Sequence, residues 1–203
     1  MPPPRTSPDD HPAQHTVRIE EARLRLLTHQ EEAVLIDRIT GTVIWRKAGG
    51  ATGVGFTAQE VAQMTGNILT HNHPGGWRFS PEDPRRSGNS FSWDDVDLFV
   101  RARLVELRAI SPGYLHVIRL PDLRPDTPET SYFRHVVAGF SQDQIKQEFA
   151  SYEVLARAEL AARIRDRHDT FAVNDALAAH YHVILQMLAQ DWGIEYERKE
   201  WRP

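Results

Sequence analysis

The chain of 203 residues has 40% hydrophobic and 26% charged residues and a formal net charge of −4, which is typical of a soluble globular domain with room for an extension. It has no cysteine, which excludes disulfides, thiolate zinc sites and cysteine-protease chemistry, and its negative charge gives no general reason to expect nucleic acid as a partner. Because it shows neither an apolar run of membrane-spanning length nor the apolar core of a signal peptide, we expect a cytoplasmic protein without a membrane partner.

The N-terminal half is predicted to alternate between helices and strands after a disordered tail. Residues 1–15 contain five prolines among scattered charges, a composition that predicts disorder. Hydrophobic periodicity, turn residues and capping patterns then predict ordered elements. These are a helix over 16–30, a hairpin of strands over 33–37 and 42–47, a short helix over 57–64, a strand that leads into His71, a helix over 92–107 and a strand over 114–120. This order predicts an α/β domain over residues 16–138, with a mixed β-sheet sandwiched between helices.

The C-terminal third is predicted to be helical. Apolar spacing favours a long helix over 141–167 and a second helix from Asn174 to Trp192. Residues 139–203 are therefore interpreted as a C-terminal helical extension, which either packs on the sheet or binds a partner or a second copy of the chain. His180 and His182 stand two apart on this second helix, so they point to different sides and do not form a zinc pair.

The residues with the clearest chemical meaning are two histidines at the end of a short strand. The apolar run over 68–70 predicts that strand, and Pro74 predicts its end. Side chains two apart on a strand share a face, so His71 and His73 can reach one metal ion. Imidazole is a common zinc ligand, and a catalytic zinc site has three protein ligands and one position for water. The sequence therefore requires a third ligand further along the chain.

Two aspartates are candidates for this third ligand. Ser92 is a natural N-cap, and Asp95 in the first helical turn could project back toward the histidines. The same Ser-x-x-Asp spacing is typical of a capping box without any catalytic role, and the two roles can coexist. Ser80 and Asp83 repeat the spacing, but Pro84 and the lack of apolar periodicity disfavour a helix there. We therefore predict Asp95, with Asp83 as the alternative.

The combination of His-Asn-His-Pro over 71–74 with Ser-x-x-Asp over 92–95 resembles the signature of the JAMM (JAB1/MPN+) metalloprotease family. The His-Asn-His-Pro wording is similar to that of the RadC-like branch and of JAB-like domains in phage and mobile-element proteins. The resemblance extends over residues 31–120, close to half of the chain, and implies the cytidine-deaminase-like JAB/MPN fold. The loop over 74–91 is longer than the family's usual spacer between the second histidine and the serine.

This resemblance implies a mechanism for the residues that match. His71, His73 and Asp95 would bind Zn²⁺, and water activated by the zinc would attack an amide carbonyl. Ser92 would donate a hydrogen bond to the developing oxyanion. A glutamate that is not a ligand would take a proton from the water and pass it to the leaving amine.

Two adjacent residues, Glu31 and Glu32, are candidates for this catalytic glutamate. In the JAMM pattern the glutamate begins an upstream apolar strand, where this chain has both residues. Because neighbouring residues of a strand face opposite ways, only one of them can reach the metal, and the sequence leaves the choice open. The RadC-like arrangement places its glutamate on the next strand, which here has no acid between Val43 and Lys47, so the JAMM-type position is favoured.

The loop over 75–89 is a candidate substrate-binding lid beside the proposed metal site. Trp77 would supply contact area and Arg78 would suit a carboxylate of an extended peptide or a carboxyl terminus. The basic residues of the loop could equally meet phosphates, which keeps a nucleic-acid substrate as an alternative. The alternative without a functional role is that the loop is a mobile surface insertion.

We therefore expect a zinc metalloprotease or isopeptidase that hydrolyses an amide bond in a protein or peptide, with a ubiquitin-like protein tail as one candidate substrate. The alternative is a metal-dependent nuclease or a toxin-type hydrolase from a phage or mobile element. A non-catalytic scaffold, as in MPN domains that lack metal ligands, is least favoured because His71, His73 and an aspartate are all present.

Overall fold

The computed structural model describes residues 12–120, 132–133, 135–164 and 170–201, and these residues form a six-stranded sheet with helices on both faces. The strands are β1 (Glu32–Ile36), β2 (Val43–Ala48), β3 (Ile68–Asn72), β4 (Glu106–Ile110), β5 (Tyr114–Arg119) and β6 (Glu195–Glu200). The helices are α1 (Pro12–Leu24), α2 (Ala58–Met64), α3 (Trp93–Arg101), α4 (Gln142–Ile164) and α5 (Thr170–Trp192). The strand order is β2-β1-β3-β4-β5-β6; β3 and β4 are parallel, and the other neighbouring pairs are antiparallel.

The side chains of β1 alternate between two hydrophobic cores. Ala33 and Leu35 belong to the larger core, which also contains residues of α2, α3, α4 and α5. Val34 and Ile36 belong to a smaller core on the opposite face, which they share with α1. All four side chains are buried. The predicted α/β class with a mixed sheet between helices is therefore confirmed.

The helix that follows Ser92 is shorter than the sequence predicted. The sequence analysis continued it to Leu107, whereas α3 ends at Arg101 and Arg103 adopts the left-handed conformation (φ 53°) that helices rarely tolerate. Leu104 is buried in the following turn, and Leu107 is buried in β4. The periodicity was misleading because a turn and a strand present these leucines to the same core as α3. As a result the strand β4 was missed.

The C-terminal residues are part of the main fold. β6 pairs with β5 along its whole length, from Tyr114 opposite Glu200 to Arg119 opposite Glu195. The prediction that residues 139–203 are only helical is therefore wrong for β6, whose charged sequence gives no apolar alternation. α4 and α5 pack together and contribute buried residues to the larger core. Packing on the sheet, one of the two predicted roles of these helices, is thus what the structure describes.

The N-terminal helix starts earlier than expected. α1 begins at Pro12, a residue well suited to a first helical position, so residues 12–15 are helical instead of disordered. The helix ends at Leu24 and not at Gln30. Residues 1–11 of the predicted tail and residues 165–167 of the predicted long helix lie outside the described residues. Within the described ranges, no helix combines the length and the apolar character needed to cross a bilayer.

Candidate metal centre

The two histidines lie at the end of an interior strand. His71 belongs to β3, and His73 follows its last residue in an extended conformation (φ −111°, ψ 90°). Between them, Asn72 donates from Nδ2 to two main-chain carbonyls that precede β1 (3.0 and 2.9 Å). Its Oδ1 accepts a hydrogen bond from the main-chain N–H of Glu32 (2.8 Å). The middle residue of the His-Asn-His motif therefore fixes the end of β3 against the segment that carries the candidate glutamates.

Asp95 is held in place by the N-terminal cap of α3. The main-chain N–H and the hydroxyl of Ser92 both donate to Asp95 Oδ2, each over 2.7 Å, and the main-chain N–H of Asp95 points back to the Ser92 hydroxyl. These contacts form a capping box. The cap occupies Oδ2, and Oδ1 faces His71, so the capping role leaves one carboxylate oxygen of Asp95 available to a metal.

The three side chains converge on one point. His71 Nε2 lies 2.9 Å from His73 Nε2 and 3.2 Å from Asp95 Oδ1, and His73 Nε2 lies 3.7 Å from Asp95 Oδ2. Ligands bound to zinc at its usual distances occupy tetrahedral corners that are roughly 3.3 Å apart. The three distances lie on both sides of this value, although the two to Asp95 end on different carboxylate oxygens, so the group could hold a single cation of that size.

The electrostatics of the cluster suit cation binding. Although burial acts to raise the pKa of Asp95, its hydrogen bond to His71 and the charges of both histidines hold that pKa well below its usual range. Burial lowers the pKa of His73, and the neighbouring His71 lowers it further. For His71, burial also acts to lower the pKa, but the Asp95 carboxylate outweighs it and the pKa is raised. A carboxylate and a neutral imidazole are the forms that metal ligands require, so Asp95 and His73 are ready for a cation, whereas His71 has to release its proton to a greater extent when a metal binds.

The outer contacts of the histidines orient their rings. His73 Nδ1 lies 3.3 Å from the main-chain carbonyl oxygen of Asn89, which can only accept, so Nδ1 carries the proton and Nε2 keeps its lone pair for the cluster. His71 Nδ1 is buried without a hydrogen bond of normal geometry, although the nearby main chain of Arg108 helps to raise the pKa of His71. Both rings present Nε2 to the same point, since these two atoms lie 2.9 Å apart.

The choice between the two glutamates follows from the faces on which they lie. Glu31 lines the same cleft as His71 and His73. Burial raises its pKa to about 7, with the Asp95 carboxylate acting in the same direction and His71 acting against it. Glu32 instead forms an ion pair with Arg23 of α1, on the opposite face of the sheet. Of the two candidates, only Glu31 therefore lies in the cleft with His71, His73 and Asp95.

The rival aspartate is engaged elsewhere. Asp83 accepts two hydrogen bonds from the guanidinium of Arg85 (3.0 and 2.7 Å) and one from its main-chain N–H (2.9 Å). It caps a short 3₁₀ turn over Pro84–Ser87. Asp95, and not Asp83, therefore completes the cluster with the histidines.

Comparisons of the chain with models of protein families, with curated proteins and with solved structures gave no match. The function of the site therefore has to be inferred from the geometry of its own residues. Within the described ranges, His71, His73 and Asp95 are the one group of histidine, aspartate and glutamate residues whose donor atoms converge closely enough to hold a metal ion. The structure thus contains a group that could bind a metal, and the donor chemistry has to indicate which metal.

A cleft of about 970 Å³ opens on the cluster. One wall is the loop over 51–56, another is the loop after His73, and α3 and α5 close the remaining side. Ser92 and Arg78 line the cleft, whereas Trp77 lies outside it, in a narrow crevice that it lines with Leu24 and Ile110. The guanidinium of Arg86 stacks on the Trp77 ring (4.5 Å to its centroid) and fixes this part of the loop. Of the two predicted substrate-binding residues, only Arg78 therefore faces the cleft.

The C-terminal helix α5 also contributes to the cleft, which the sequence did not predict. Leu177 and Tyr181 of this helix line the same cleft as His71, His73 and Asp95. Leu177 remains 55% exposed, so its side chain is accessible to a ligand. No local pattern could have indicated this role, because it depends on how α5 packs against the sheet.

Proposed function

We propose that the protein is a zinc-dependent hydrolase that cleaves an amide bond, a metallopeptidase or isopeptidase of the JAMM type. The observation that supports this most strongly is the convergence of three ligands, His71, His73 and Asp95, in a cleft that also contains an acid outside the cluster, Glu31. The resemblance of the His-Asn-His-Pro and Ser-x-x-Asp motifs to the JAMM signature adds support. The JAB/MPN fold that this resemblance implies is part of the same proposal.

The donor set favours zinc. Two imidazoles and one carboxylate with tetrahedral spacing are a usual ligand set for catalytic zinc. Two histidines and one carboxylate also suit ferrous iron, so the metal has to be identified by analysis. When bound, zinc would supply a Lewis acid that lowers the pKa of water and polarises a carbonyl.

Glu31 is proposed as the general base. A carboxylate with a pKa of about 7 is well matched to taking a proton from water and returning it to a leaving amine near neutral pH. The position before β1 is supported by two main-chain hydrogen bonds, from Glu31 N–H to the Gly50 carbonyl (2.7 Å) and from Gly49 N–H to the Glu31 carbonyl (2.8 Å). These bonds hold Glu31 at the base of the loop that forms one wall of the cleft.

Ser92 is proposed to orient Asp95 and to donate a hydrogen bond to the oxyanion that develops on the substrate. A serine hydroxyl has one hydrogen to donate, and here it is donated to Asp95 Oδ2. Donation to a developing oxyanion therefore requires the hydroxyl to turn from Asp95 into the cleft. The main-chain N–H of Ser92, which also donates to Asp95, would keep the carboxylate in position during this turn.

The cleft favours a peptide over a nucleic acid. Two of its three arginines, Arg85 and Arg101, are neutralised by bidentate contacts with Asp83 and Asp97. In the part of the chain that the structure describes, Arg78 has no carboxylate partner, and its guanidinium stacks on the Phe79 ring at 4.8 Å. One available guanidinium suits one carboxylate of a peptide or of a protein tail, whereas a phosphate backbone requires several cations. A nuclease or toxin-type hydrolase is therefore the less favoured alternative.

Metal reconstitution combined with a substrate panel tests the proposal. The purified protein is stripped with a chelator, reloaded separately with Zn²⁺, Fe²⁺ or Mn²⁺, and offered quenched fluorescent peptides, ubiquitin-like tail fusions and single- and double-stranded nucleic acids. We expect peptide or tail cleavage that requires zinc. Cleavage of nucleic acid alone would support the alternative, and a protein that binds none of these cations would overturn both.

A further inference from the structure

In a segment of four consecutive residues, three residues each contact one of the three proposed metal ligands. The Asn89 carbonyl accepts from His73 Nδ1 (3.3 Å), and Ser92 donates to Asp95 (2.7 Å). Between them, the fully buried ring of Phe91 packs on the His71 ring, with 6.2 Å between the centroids. Residues 89–92, called the 89–92 segment below, therefore form the outer support of the whole cluster. Any shift of this segment changes the positions of the ligands relative to one another.

The remaining residue of the segment is bound to the C-terminal strand. The hydroxyl of Ser90, which is buried, lies 2.9 Å from the hydroxyl of Tyr196 in β6. The Tyr196 hydroxyl also lies 2.9 Å from His182 Nδ1 in α5 and 3.3 Å from His116 Nδ1 in β5. A tyrosine hydroxyl has one hydrogen and two lone pairs, so these three partners satisfy it fully. Tyr196 thus joins three separate elements to the 89–92 segment.

Phe91 provides a second, apolar link in the same place. Its ring lies between the rings of His71 and His116, with centroid distances of 6.2 and 6.3 Å. His116 is in turn a hydrogen-bond neighbour of Tyr196. Hydrogen bonds in a partly buried network of this kind help to hold one arrangement, and here the network lies beside the residue that packs on a ligand.

We infer that Tyr196 is a positioning residue of the metal centre, which acts through Ser90 on the 89–92 segment and thereby sets the spacing of His71, His73 and Asp95. The inference rests on the metal centre of the proposed function. It makes β6 and α5 a part of the site, although they come some hundred residues after the ligands in the chain. Groups bonded directly to a ligand typically change metal affinity by roughly 10–100-fold when they are removed, so a support one link further out is expected near the lower end of that range.

Zinc binding by four variants tests this role. Tyr196→Phe removes the hydroxyl and keeps the ring, Ser90→Ala removes its partner, and the double variant combines them. Tyr152→Phe is the matched control, because it removes the Tyr152–Asp191 hydrogen bond (2.8 Å) between α4 and α5, away from the 89–92 segment. Each protein is titrated with Zn²⁺ against a chromophoric chelator, its Co²⁺ form is recorded by visible absorption, and its melting temperature is measured.

We expect Tyr196→Phe and Ser90→Ala each to weaken zinc binding by roughly tenfold and to shift the Co²⁺ spectrum. The double variant should lose little more than either single variant, since both break one link. Tyr152→Phe should lower the melting temperature without changing zinc affinity. Unchanged affinity and spectrum in Tyr196→Phe would overturn the inference, as would an equal loss in Tyr152→Phe. If the unmutated protein binds no cation, the metal centre itself fails, and the positioning role fails with it.

Discussion

Glu31 and Glu32 are neighbours in the chain, yet their carboxylates lie on opposite faces of the sheet, one in the cleft and the other paired with Arg23. We predict that Glu31→Gln lowers kcat for a peptide substrate by roughly 10²–10⁴-fold, the range for loss of a general base. Zinc content should be retained, because Glu31 is not a ligand. Glu32→Gln is the matched control and should leave kcat unchanged while it lowers thermal stability. Equal activity of both variants would remove the general base from the proposal.

The two aspartates with the same Ser-x-x-Asp spacing form a second matched pair. We predict that Asp95→Asn weakens zinc binding by more than the roughly 10–100-fold expected for an outer-shell partner, because it removes a direct ligand. Asp83→Asn should leave zinc affinity unchanged, since Asp83 contacts Arg85 and lies outside the cluster. A competition titration with a chromophoric chelator measures both. A larger loss in Asp83→Asn than in Asp95→Asn would contradict the ligand assignment.

The histidines and Asp95 could be predicted because their signals are local. Alternation along a strand puts His71 and His73 on one face, and a capping box brings Asp95 to the start of α3. The candidate catalytic glutamate could only be narrowed to Glu31 or Glu32, because the sequence does not indicate which side chains of β1 and of the residue before it face the cleft. Their assignment needed the ion pair between Glu32 and Arg23.

The missed elements depend on distant parts of the chain. The first residues of β4 were predicted as part of the preceding helix, because Leu104 and Leu107 continue the apolar spacing of α3. In the structure Leu104 lies in a turn and Leu107 in β4, and both pack in the same core as α3. β6 was missed because its residues are mostly charged and its order comes from pairing with β5. The link from Tyr196 to Ser90 spans 106 positions, and no local pattern in the sequence points to it.

Arg78 is expected to select substrates that carry a carboxylate. We predict that Arg78→Ala raises KM for peptides with a free or side-chain carboxylate by roughly 10–100-fold, which corresponds to one charge-assisted hydrogen bond of about 1.5–3 kcal/mol. Peptides without a carboxylate should be cleaved as before. Arg78→Lys should recover only part of the loss, since lysine lacks the planar fork.

The control for this effect is Arg38→Ala, an exposed arginine that does not line the cleft. Comparison of C-terminal acids with C-terminal amides, and of internal glutamate with glutamine, separates the two sources of the carboxylate. An Arg78→Ala variant that loses equal activity on charged and uncharged peptides would show that Arg78 has no role in selection.

The Tyr196 network should make stability depend on alkaline pH. Burial raises the pKa of Tyr196 to about 12, whereas the unfolded residue ionises near pH 10. Between these values the unfolded state loses its proton first, so the stabilisation is complete below pH 10 and is lost as the pH rises toward 12. We predict that the difference in unfolding free energy between the unmutated protein and Tyr196→Phe shrinks over this range by at most roughly 3 kcal/mol. A difference that stays constant from pH 9 to 12 would contradict a buried, protonated hydroxyl.

The C-terminal helices should be required for the stability of the whole domain. Trp192 of α5 is 1% exposed and contacts Phe140 ring to ring at 6.1 Å in the larger core. We predict that Trp192→Ala lowers the free energy of unfolding by about 3–5 kcal/mol, the usual cost of removing a large buried aromatic side chain. Leu155→Ala, at an exposed position of α4, should cost within about 0.5 kcal/mol. Denaturant unfolding followed by circular dichroism measures both. If Trp192→Ala melted α4 and α5 in a separate step and left the sheet folded, the C-terminal residues would be an independent unit and could not support the metal cluster.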